Sequence, residues 1–405
     1  MKILFYNHTG KVSGGERVLL MILAGLDRGR CDPVVLCPTD GRLIQMVSEL
    51  GVRTASIQSL EARFTMRVDR LAKYCASFVR LIQATRTAVI NEAPDIIHAN
   101  SVRAGLVMSA ATFGLRIPVI WHVHDLLPRH PLSTAIRIFA CASRRNRIVA
   151  VSQAVARRFE GRLSRAFRGR VETIHNAVDV ERFCPNQQSR RDTRRALGVE
   201  ATTVVGIVGQ LTPRKGQLEL IEAFAEMSRA VPDAILLVVG EPLFNRDEEY
   251  ARSLARAADR SDAADRIRFL GAREDVPAIM RALDLLVVNS SVEPFGLTVI
   301  EAMASGTPVL ATAVDGLNEI VSHRENGWLV SARDRRSLVE ALFTLVRDRR
   351  LRERIAEEAR RHAVRHFTAG RFLSQIRSLY LKTLTAGSRR LPARRRNLKT
   401  ELSAD

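Results

Sequence analysis

Short, uninterrupted runs of apolar residues recur along the chain, and segments with helical periodicity separate them. Strands that are apolar throughout, rather than alternating, indicate a sheet covered on both faces, which is typical of parallel α/β domains. In the N-terminal half these runs predict strands at residues 3–7, 34–37, 95–99, 119–124, 148–152 and 171–176. A second series predicts strands at residues 204–208, 235–239, 267–270, 285–288, 308–312 and 328–330.

A polar stretch, Cys184–Asp192, separates the two series and predicts a hinge near residues 177–200. The chain of 405 residues is long for one core, so we expect two doubly wound α/β domains, at residues 1–184 and 198–368. The basic segment 387–405 is predicted to be disordered. Helical stretches without intervening strands are predicted at about residues 334–347, 350–366 and 369–384.

The composition favours a cytoplasmic protein without a membrane-spanning segment. No apolar run reaches the roughly 18 residues that a membrane-spanning helix needs. The N-terminal apolar stretch Ile3–Tyr6 is too short for a secretory signal peptide and leads into a glycine loop. The five cysteines are scattered and lack Cys-x-x-Cys spacing, which argues against a disulfide framework or a zinc site.

The charge balance is strongly basic, with 63 Lys and Arg against 43 Asp and Glu and a formal net charge of +20. From Arg129 to Arg170 the only acidic residue is Glu160. Such surfaces attract anionic lipid head groups or nucleic acid. Because the basic segments carry no nucleic-acid-binding motif, we expect an anionic membrane surface as partner and consider nucleic acid unlikely. A solvated, arginine-rich surface without a partner is the alternative.

The largest group of candidate ligand-binding residues follows the apolar run at residues 285–288. Glu293 is predicted in the turn after a buried strand, and Glu301 inside the next helix. The amides of Phe295, Gly296 and Leu297 lie where an unpaired helix N-terminus accepts a phosphate, while carboxylates accept hydrogen bonds from sugar hydroxyls. A nucleoside diphosphate sugar has both a phosphate for the amides and sugar hydroxyls for the carboxylates. The segment reads Ser-Val-Glu-Pro-Phe-Gly-Leu-Thr-Val-Ile-Glu-Ala-Met-Ala from Ser291 to Ala304.

This pattern resembles the Glu-x7-Glu motif of the retaining glycosyltransferases of family 4, over about residues 1–384. The resemblance implies the α/β GT-B fold, in which two doubly wound Rossmann-like domains with parallel sheets face each other across a cleft. It implies an acceptor-side N-terminal domain, a C-terminal domain that binds the nucleotide sugar, and a terminal helix, about 369–386, that crosses back onto the first domain. In that family the first glutamate, here Glu293, contacts donor-sugar hydroxyls, and the second, here Glu301, binds the ribose diol.

A loop after the first predicted strand contains the pair Gly14-Gly15, and the next helix should begin near Gly15. Paired glycines let the backbone approach a ligand closely and present amides at a positive helix end. In the resembled family this loop faces the donor phosphates or the acceptor. The spacing is not Gly-x-Gly-x-x-Gly, so NAD binding is poorly supported. Simple turn chemistry is the alternative for this pair.

Two histidines close the predicted strand at residues 119–124, and alternation places His122 and His124 on the same face. A histidine beside a carboxylate can bind a sugar or handle protons near neutral pH. The pair His124-Asp125 matches a His-Asp of the resembled family, whose histidine lies near the donor sugar. A metal held by both histidines is an alternative, although no third ligand is near them in the sequence.

The segment Gly209–Gly216 ends the first strand of the second domain and precedes a helix. Cations before a helix N-terminus are unfavourable beside its dipole unless an anion lies between them, which indicates a diphosphate. The family has an arginine directly after the first glycine and a lysine five residues later. Lys215 matches the lysine, whereas Gln210 departs from the arginine. Arg214 could supply the missing guanidinium or could point outward.

The resemblance therefore implies a retaining glycosyltransferase that moves a sugar from a UDP- or GDP-sugar to a glycan or lipid-linked saccharide. His124, Lys215 and Glu293 are the expected catalytic residues. No metal or other cofactor is expected. Polysaccharide or lipopolysaccharide biosynthesis is the expected setting, in the cytoplasm or at the inner face of the cytoplasmic membrane. Acceptor contacts are expected from the loops at residues 8–16, 59–70 and 125–133. An epimerase or synthase that uses the same cleft, or a degenerate protein that binds a nucleotide sugar without turnover, are the alternatives.

Overall fold

The computed structural model describes residues 1–59, 68–243 and 247–388, with the backbone alone at residues 68–75 and 386–388. The predicted basic tail lies outside the described residues from 389 onward, as does most of the predicted acceptor loop at 59–70. The chain divides into two compact units, one of Met1–His175 with the segment from Phe372 onward and the other of Asn176–Arg371.

The first unit is built on a parallel sheet in the order β3-β2-β1-β4-β5-β6-β7. Its strands are β1 (Lys2–Tyr6), β2 (Asp32–Cys37), β3 (Arg53–Ser56), β4 (Ile96–Ala99), β5 (Val119–Val123), β6 (Arg147–Ala150) and β7 (Val171–Thr173). Its helices are α1 (Gly14–Ala24), α2 (Leu43–Glu49), α3 (Val68–Glu92), α4 (Val102–Ala111), α5 (Pro131–Ala142) and α6 (Gln153–Glu160), followed by a 3-10 helix at Gly161–Phe167.

The second unit is built on a parallel sheet in the order β10-β9-β8-β11-β12-β13. Its strands are β8 (Thr203–Val208), β9 (Ala234–Val239), β10 (Ile267–Gly271), β11 (Leu285–Val288), β12 (Val309–Thr312) and β13 (Trp328–Val330). Its helices are α7 (Gln187–Ala196), α8 (Gln217–Ser228), α9 (Glu248–Asp259), α10 (Val276–Ala282), α11 (Leu297–Ala304), α12 (Leu317–Ile320), α13 (Arg335–Arg347) and α14 (Arg349–His366), with 3-10 turns at Pro213–Lys215 and Ala264–Arg266.

Each sheet has a topological switch point, because β1 lies between β2 and β4 and β8 lies between β9 and β11. In sheets of this kind ligands bind beyond the carboxyl ends of the strands at the switch point. The fully buried strands β4, β9 and β11 explain the continuous apolar runs in the sequence. The predicted α/β class with two Rossmann-like sheets is confirmed.

The last helix, α15 (Ala369–Ser388), leaves the second unit and joins the first. Its buried side chains include Phe372, Ile376 and Tyr380. A Cβ at Gly25 of the first unit would overlap the side chain of Leu373, so the end of α1 and α15 pack closely. The predicted return of the terminal helix to the first unit is confirmed.

Strand β3 was missed by the apolar pattern, which predicts no strand between residues 37 and 95. Its sequence, Arg-Thr-Ala-Ser, carries no apolar run, and none of its residues is fully buried. Among the described strands it lies at the edge of the first sheet and pairs with β2 alone. An edge strand with partly exposed faces does not produce the pattern that identifies buried strands.

The predicted hinge near residues 177–200 is instead occupied by α7, which packs against α10 within the second unit. Two arginines on α7, Arg190 and Arg194, bind the carboxylate of Asp284, at 2.5 Å and 2.9 Å. The same carboxylate accepts the amide of Val204 at 2.8 Å. Burial alone would raise the pKa of Asp284, but this amide and the two guanidinium groups lower it below the ordinary value. The polar composition of α7 therefore reflects an ion-pair network rather than a linker.

Among residues 1–59, 68–243 and 247–388, no helix combines the length and apolar character needed to cross a membrane.

Replacing Asp284 with Asn should lower the free energy of unfolding of the second unit by about 2–3 kcal/mol, because two guanidinium groups lose their anion in a partly buried site. Chemical denaturation measures the change. The matched control is Asp262→Asn, which breaks an exposed pair with Arg229 and should cost no more than about 0.5 kcal/mol. Equal effects of the two substitutions would contradict the assigned role of α7.

Candidate functional site

The two segments predicted to bind the donor lie side by side at the switch point of the second unit. Asn289, just after β11, donates from Nδ2 to the carbonyl of Gly216 at 3.0 Å. The amide of Ser291 donates to the carbonyl of Arg214 at 2.8 Å. Gly216 has φ +66°, and a Cβ there would overlap the carbonyl of Asn289, so the close approach requires glycine at this position.

This approach brings Lys215 and Glu293 into direct contact. Lys215 Nζ lies 2.5 Å from Glu293 Oε2, and only 16% and 9% of the two side chains are exposed. The hydroxyl of Ser290 donates to the same carboxylate oxygen at 3.1 Å. The two residues were predicted from separate motifs for separate parts of a ligand, and the structure joins them in one ion pair.

The backbone of Glu293 is held by the loop after β12. Its amide donates to Asp315 Oδ2 at 3.2 Å, and its carbonyl accepts from the amide of Gly316 at 3.1 Å. Neither Ser290 nor Asp315 was predicted as a site residue. The Asp-Gly pair is a turn signal directly after a predicted strand, and it could have identified this loop from the sequence.

Helix α11 carries the rest of the predicted donor motif. Gly296 is its N-cap and Leu297 its first residue, so their amides belong to the turn that has no intrahelical partner. Phe295 is buried and packs edge-on against Phe367, with ring centroids 5.9 Å apart. Glu301 lies in the second turn and is 9% exposed. The interpretation of Glu301 as a solvated charge on a helix surface is therefore excluded.

Gln210 and Arg214 differ in how the structure uses them. Gln210 is half-buried, and its carbonyl accepts Nε2 of Gln217 at 2.8 Å, which ties the start of the loop to the start of α8. Arg214 is exposed, and its carbonyl accepts the hydroxyl of Ser291 at 3.3 Å. Lys215 is thus the cation that this loop directs toward Glu293.

In the first unit, Gly14 and Gly15 begin α1, and Gly15 lies against the ring of His124. A Cβ at Gly15 would be 3.3 Å from that ring, which is tighter than ordinary contact. Asn100, directly after β4, donates to the carbonyl of Gly15 at 3.1 Å, and its Oδ1 lies 3.0 Å from His124 Nε2. The glycine loop, β4 and β5 therefore converge at the switch point of this unit.

A second layer of polar groups holds Asn100. Its Nδ2 donates to Oδ1 of Asn7 at 3.0 Å, and Asn7 in turn donates to Glu16 at 3.1 Å. The Glu16 carboxylate accepts the amide of Ser13 at 2.9 Å at the start of α1. Neither Asn7 nor Asn100 was predicted as a site residue, although each is a polar residue immediately after a buried strand, which is a recognisable signal.

Behind His124 lies a buried chain of neutral groups. Tyr380 Oη is 2.8 Å from His98 Nδ1, and His98 Nε2 is 3.2 Å from His122 Nδ1. The rings of His122 and His124 lie in contact, with centroids 4.2 Å apart and planes tilted by 37°, which confirms that they share a face. Burial lowers the pKa of His98 to about 3 and that of His124 to about 4, so both are neutral at pH 7.

The proton on His124 can be assigned from its partner. Asn100 Oδ1 is an acceptor because its amide nitrogen already donates twice, so His124 carries its proton on Nε2. Nδ1 of the neutral ring is then a hydrogen-bond acceptor. Within the described residues, no three His, Cys, Asp or Glu side chains are grouped as a metal site would require, so the alternative of a metal on His122 and His124 finds no third ligand there.

Models of two glycosyltransferase families match the chain, one in each unit. The family model described as Glycosyltransferase Family 4 matches residues 12–182, and the model described as Glycosyl transferases group 1 matches residues 189–362. The chain belongs to the group 1 glycosyltransferases. The predicted resemblance and the GT-B fold are confirmed.

Three similar proteins illustrate the range of this family. The D-inositol 3-phosphate glycosyltransferase of Corynebacterium glutamicum is 37% identical over 218 residues, which is 52% of this chain and 51% of the relative. The chain thus matches about half the length of this curated relative. An Escherichia coli UDP-Gal:alpha-D-GlcNAc-diphosphoundecaprenol alpha-1,3-galactosyltransferase is 23% identical over 91% of this chain and 94% of its own length. The structure of Anabaena HepE with UDP-glucose has a TM-score of 0.80 at 28% identity, covering 94% of this chain and all of the other.

Acidification should destabilise the first unit through His98. Its folded pKa of about 3 lies below the unfolded value, so the folded state binds fewer protons and its stability is complete only above about pH 6.5. Between about pH 7 and pH 5 this histidine alone should remove about 2 kcal/mol. Denaturation at both pH values measures the loss. An NMR titration of the His98 ring checks the cause, and a midpoint near 6.5 in the folded protein would contradict it.

Proposed function

We propose that this chain is a retaining glycosyltransferase that transfers a sugar from a UDP- or GDP-sugar to a glycan or lipid-linked saccharide. The observation that carries the proposal is the contact between Lys215 and Glu293 beside the N-terminus of α11. A cation for a phosphate and a carboxylate for sugar hydroxyls are thereby within reach of one ligand. A nucleoside diphosphate sugar has these two groups next to each other.

The donor would replace the ion pair with contacts of its own. Lys215 would turn from Glu293 to the diphosphate, and the first amides of α11, at Gly296 and Leu297, would add hydrogen bonds at the positive helix end. Glu293 would then accept hydrogen bonds from the sugar hydroxyls, and Glu301 from the ribose diol. Since both groups of the pair are largely buried, each needs a partner at every stage.

Catalysis would rest on charge stabilisation at the leaving group. Negative charge grows on the departing diphosphate, and a preorganised ammonium and helix amides stabilise it more in the transition state than in the ground state. Lys215 is the proposed source of the positive charge that stabilises the diphosphate, with Arg214 as a second cation. The proposed attack on the same face as the departing phosphate retains the configuration at the anomeric carbon. No divalent ion is required in this scheme.

His124 is proposed to bind a hydroxyl of the transferred sugar. Its ring is neutral, and its Nδ1 is an acceptor because Asn100 holds the proton-bearing Nε2. The close packing of Gly15 against the ring keeps the side chain in one orientation. Gly14 and Gly15 would bring backbone amides of α1 toward a donor phosphate or the acceptor.

The similar proteins support the donor class and the kind of acceptor. HepE was solved with UDP-glucose, and the Escherichia coli relative is named for transfer from UDP-Gal to a diphosphoundecaprenol-linked sugar. We therefore favour a UDP-sugar and a lipid-linked saccharide, at the cytoplasmic face of the membrane. Polysaccharide or lipopolysaccharide biosynthesis is the proposed setting.

One feature favours a second candidate, a protein that binds a nucleotide sugar without turnover. Gln210 stands where the resembled family has an arginine that neutralises the diphosphate. Loss of one cation would weaken stabilisation of the leaving group while leaving the ribose and sugar contacts in place. Lys215 and the exposed Arg214 argue for retained activity, and turnover decides between the two candidates.

Donor binding should be selective and should depend on the two charges of the site. Calorimetry with UDP-, GDP- and ADP-sugars should show one preferred donor, and a Lys215→Ala, Glu301→Ala variant should bind it about 100-fold more weakly or worse, since two charged partners are lost. The matched control, Glu325→Ala, removes an exposed carboxylate of the same unit and should bind normally. Failure of the wild-type protein to bind any of the donors would reject the proposed function.

With the preferred donor, hydrolysis or transfer should release a sugar whose anomeric configuration matches that of the donor. Proton NMR of the first product distinguishes the anomers before mutarotation. The rate should be unchanged in excess chelator, since the scheme uses a lysine and helix amides for the phosphate charge. An inverted product, or a rate that is abolished by chelation and restored by a divalent ion, would contradict the mechanism.

A further inference from the structure

Helix α5 has its apolar residues on the outside. Ser133, Arg137 and Ala140 form its buried stripe, whereas Leu132 and Ile138 are 53% and 59% exposed. Phe139 is also exposed. A helix on the surface of a soluble domain normally turns its apolar stripe inward and its charges outward. The described residues of the first unit therefore leave the apolar stripe of α5 without an apolar environment.

The buried arginine shows why the helix is held in this orientation. Arg137 Nε donates to the carbonyl of Phe159 at 2.7 Å, and its Nη2 donates to the carbonyl of Arg158 at 2.8 Å. These carbonyls belong to the last turn of α6, where orphan carbonyls need donors. The guanidinium thus satisfies the end of α6, and α5 cannot rotate its apolar stripe inward without breaking both bonds.

Further exposed apolar side chains lie just after α4, which contacts α5, and on α3, which contacts α4. Helix α4 packs against both α3 and α5, and Phe113, just after α4, is 83% exposed. Nδ2 of Asn146, which follows α5, donates to Ser109 of α4 at 3.3 Å, so the ends of the two helices lie together. Val79 and Ile90 on α3 are also more than half exposed. Exposed apolar side chains on neighbouring elements of a folded domain are typical of an interaction site.

Basic residues border the apolar stripe at both ends. Arg129 precedes α5, and Arg144 and Arg145 follow it, all three exposed. Only one acidic residue, Glu160, occurs between residues 129 and 170. Helices with an apolar face and basic neighbours lie flat in the head-group region of anionic bilayers, where the apolar side chains enter the acyl boundary and the arginines contact phosphates.

We propose that this surface, the α5 face, docks the protein onto an anionic lipid bilayer. We define it by Leu132, Ile138, Phe139 and Phe113 with the arginines at 129, 144 and 145. A bilayer fits better than a protein partner, because the exposed charges at both ends of the stripe are all basic and complement anionic head groups. The inference deepens the proposed function by placing a lipid-linked acceptor at the same membrane, but docking itself does not depend on donor chemistry.

Sedimentation with vesicles tests the docking surface. The full chain should bind vesicles of phosphatidylcholine containing phosphatidylglycerol and should bind pure phosphatidylcholine weakly. A Leu132→Ser, Ile138→Ser variant should lose about tenfold or more in partitioning, because two apolar side chains no longer enter the bilayer. An Arg144→Glu, Arg145→Glu variant should lose about 20-fold or more, since each basic residue contributes to attraction by the lipid charge.

Two variants of the second unit serve as matched controls. Val364→Ser removes a similarly exposed apolar side chain from α14, and Arg350→Glu with Arg354→Glu reverses two exposed charges on the same helix. Both should partition as the wild-type protein does. Equal partitioning of the α5 and control variants would overturn the proposal. Concentration-dependent self-association that the Leu132→Ser, Ile138→Ser variant abolishes, without vesicle binding, would overturn it in favour of a second copy of the chain.

The donor-binding measurement keeps the two proposals separate. The α5 variants should bind the preferred nucleotide sugar as tightly as the wild-type protein, because none of the substituted residues belongs to the site of the second unit. If no nucleotide sugar binds but the vesicle results hold, the docking surface stands and the proposed transferase activity fails. If the donor binds but the vesicles do not, the reverse conclusion follows.

Discussion

The backbone contact between Gly216 and Asn289 is the constraint on which the candidate site depends. It joins the loop after β8 to the loop after β11 at the switch point of the second sheet. With any side chain at Gly216 the two loops would have to separate, and Lys215 could no longer reach Glu293. A local steric condition on one glycine thus fixes the distance between the two groups of opposite charge that a diphosphate sugar requires.

The first unit follows a different physical principle. Its switch point is lined by neutral polar groups, because burial keeps His98 and His124 deprotonated at neutral pH. Asn100 then determines which nitrogen of His124 carries the proton. A neutral acceptor suits a sugar hydroxyl, whereas the ammonium group of Lys215 in the second unit suits a phosphate. The parts of the ligand that we propose for each unit therefore follow from the polarity of the groups at its switch point.

The sequence predicted the buried strands and the α/β class from local signals, namely continuous apolar runs and glycine-rich turns, whereas the GT-B fold was implied by the family resemblance around Glu293 and Glu301. Prediction from the sequence failed at an edge strand and at residues whose interaction partner is distant in the chain. Edge strand β3 has no apolar run, and α7 has a polar composition because its arginines bind Asp284, about 90 residues away. The contact of Lys215 with Glu293 could likewise not be predicted, because the two motifs do not indicate how far apart they lie in space.

The outward orientation of the apolar side chains on the α5 face could not be predicted from the sequence for a related reason. Its sequence reads as an ordinary amphipathic helix, and only the bonds of Arg137 to the end of α6 show which side faces inward. The basic composition of the region, by contrast, is evident from the sequence alone. The basic composition therefore indicated an anionic partner, and the fold identified the α5 face as the surface that we propose binds it.

A crystal structure with a bound nucleoside diphosphate sugar tests the central claim most directly. We expect Lys215 Nζ to have left Glu293 for a phosphate oxygen, with the sugar hydroxyls on Glu293 and the ribose on Glu301. A donor bound elsewhere, or one that leaves the Lys215–Glu293 pair intact and its phosphates remote from α11, would contradict the proposed site.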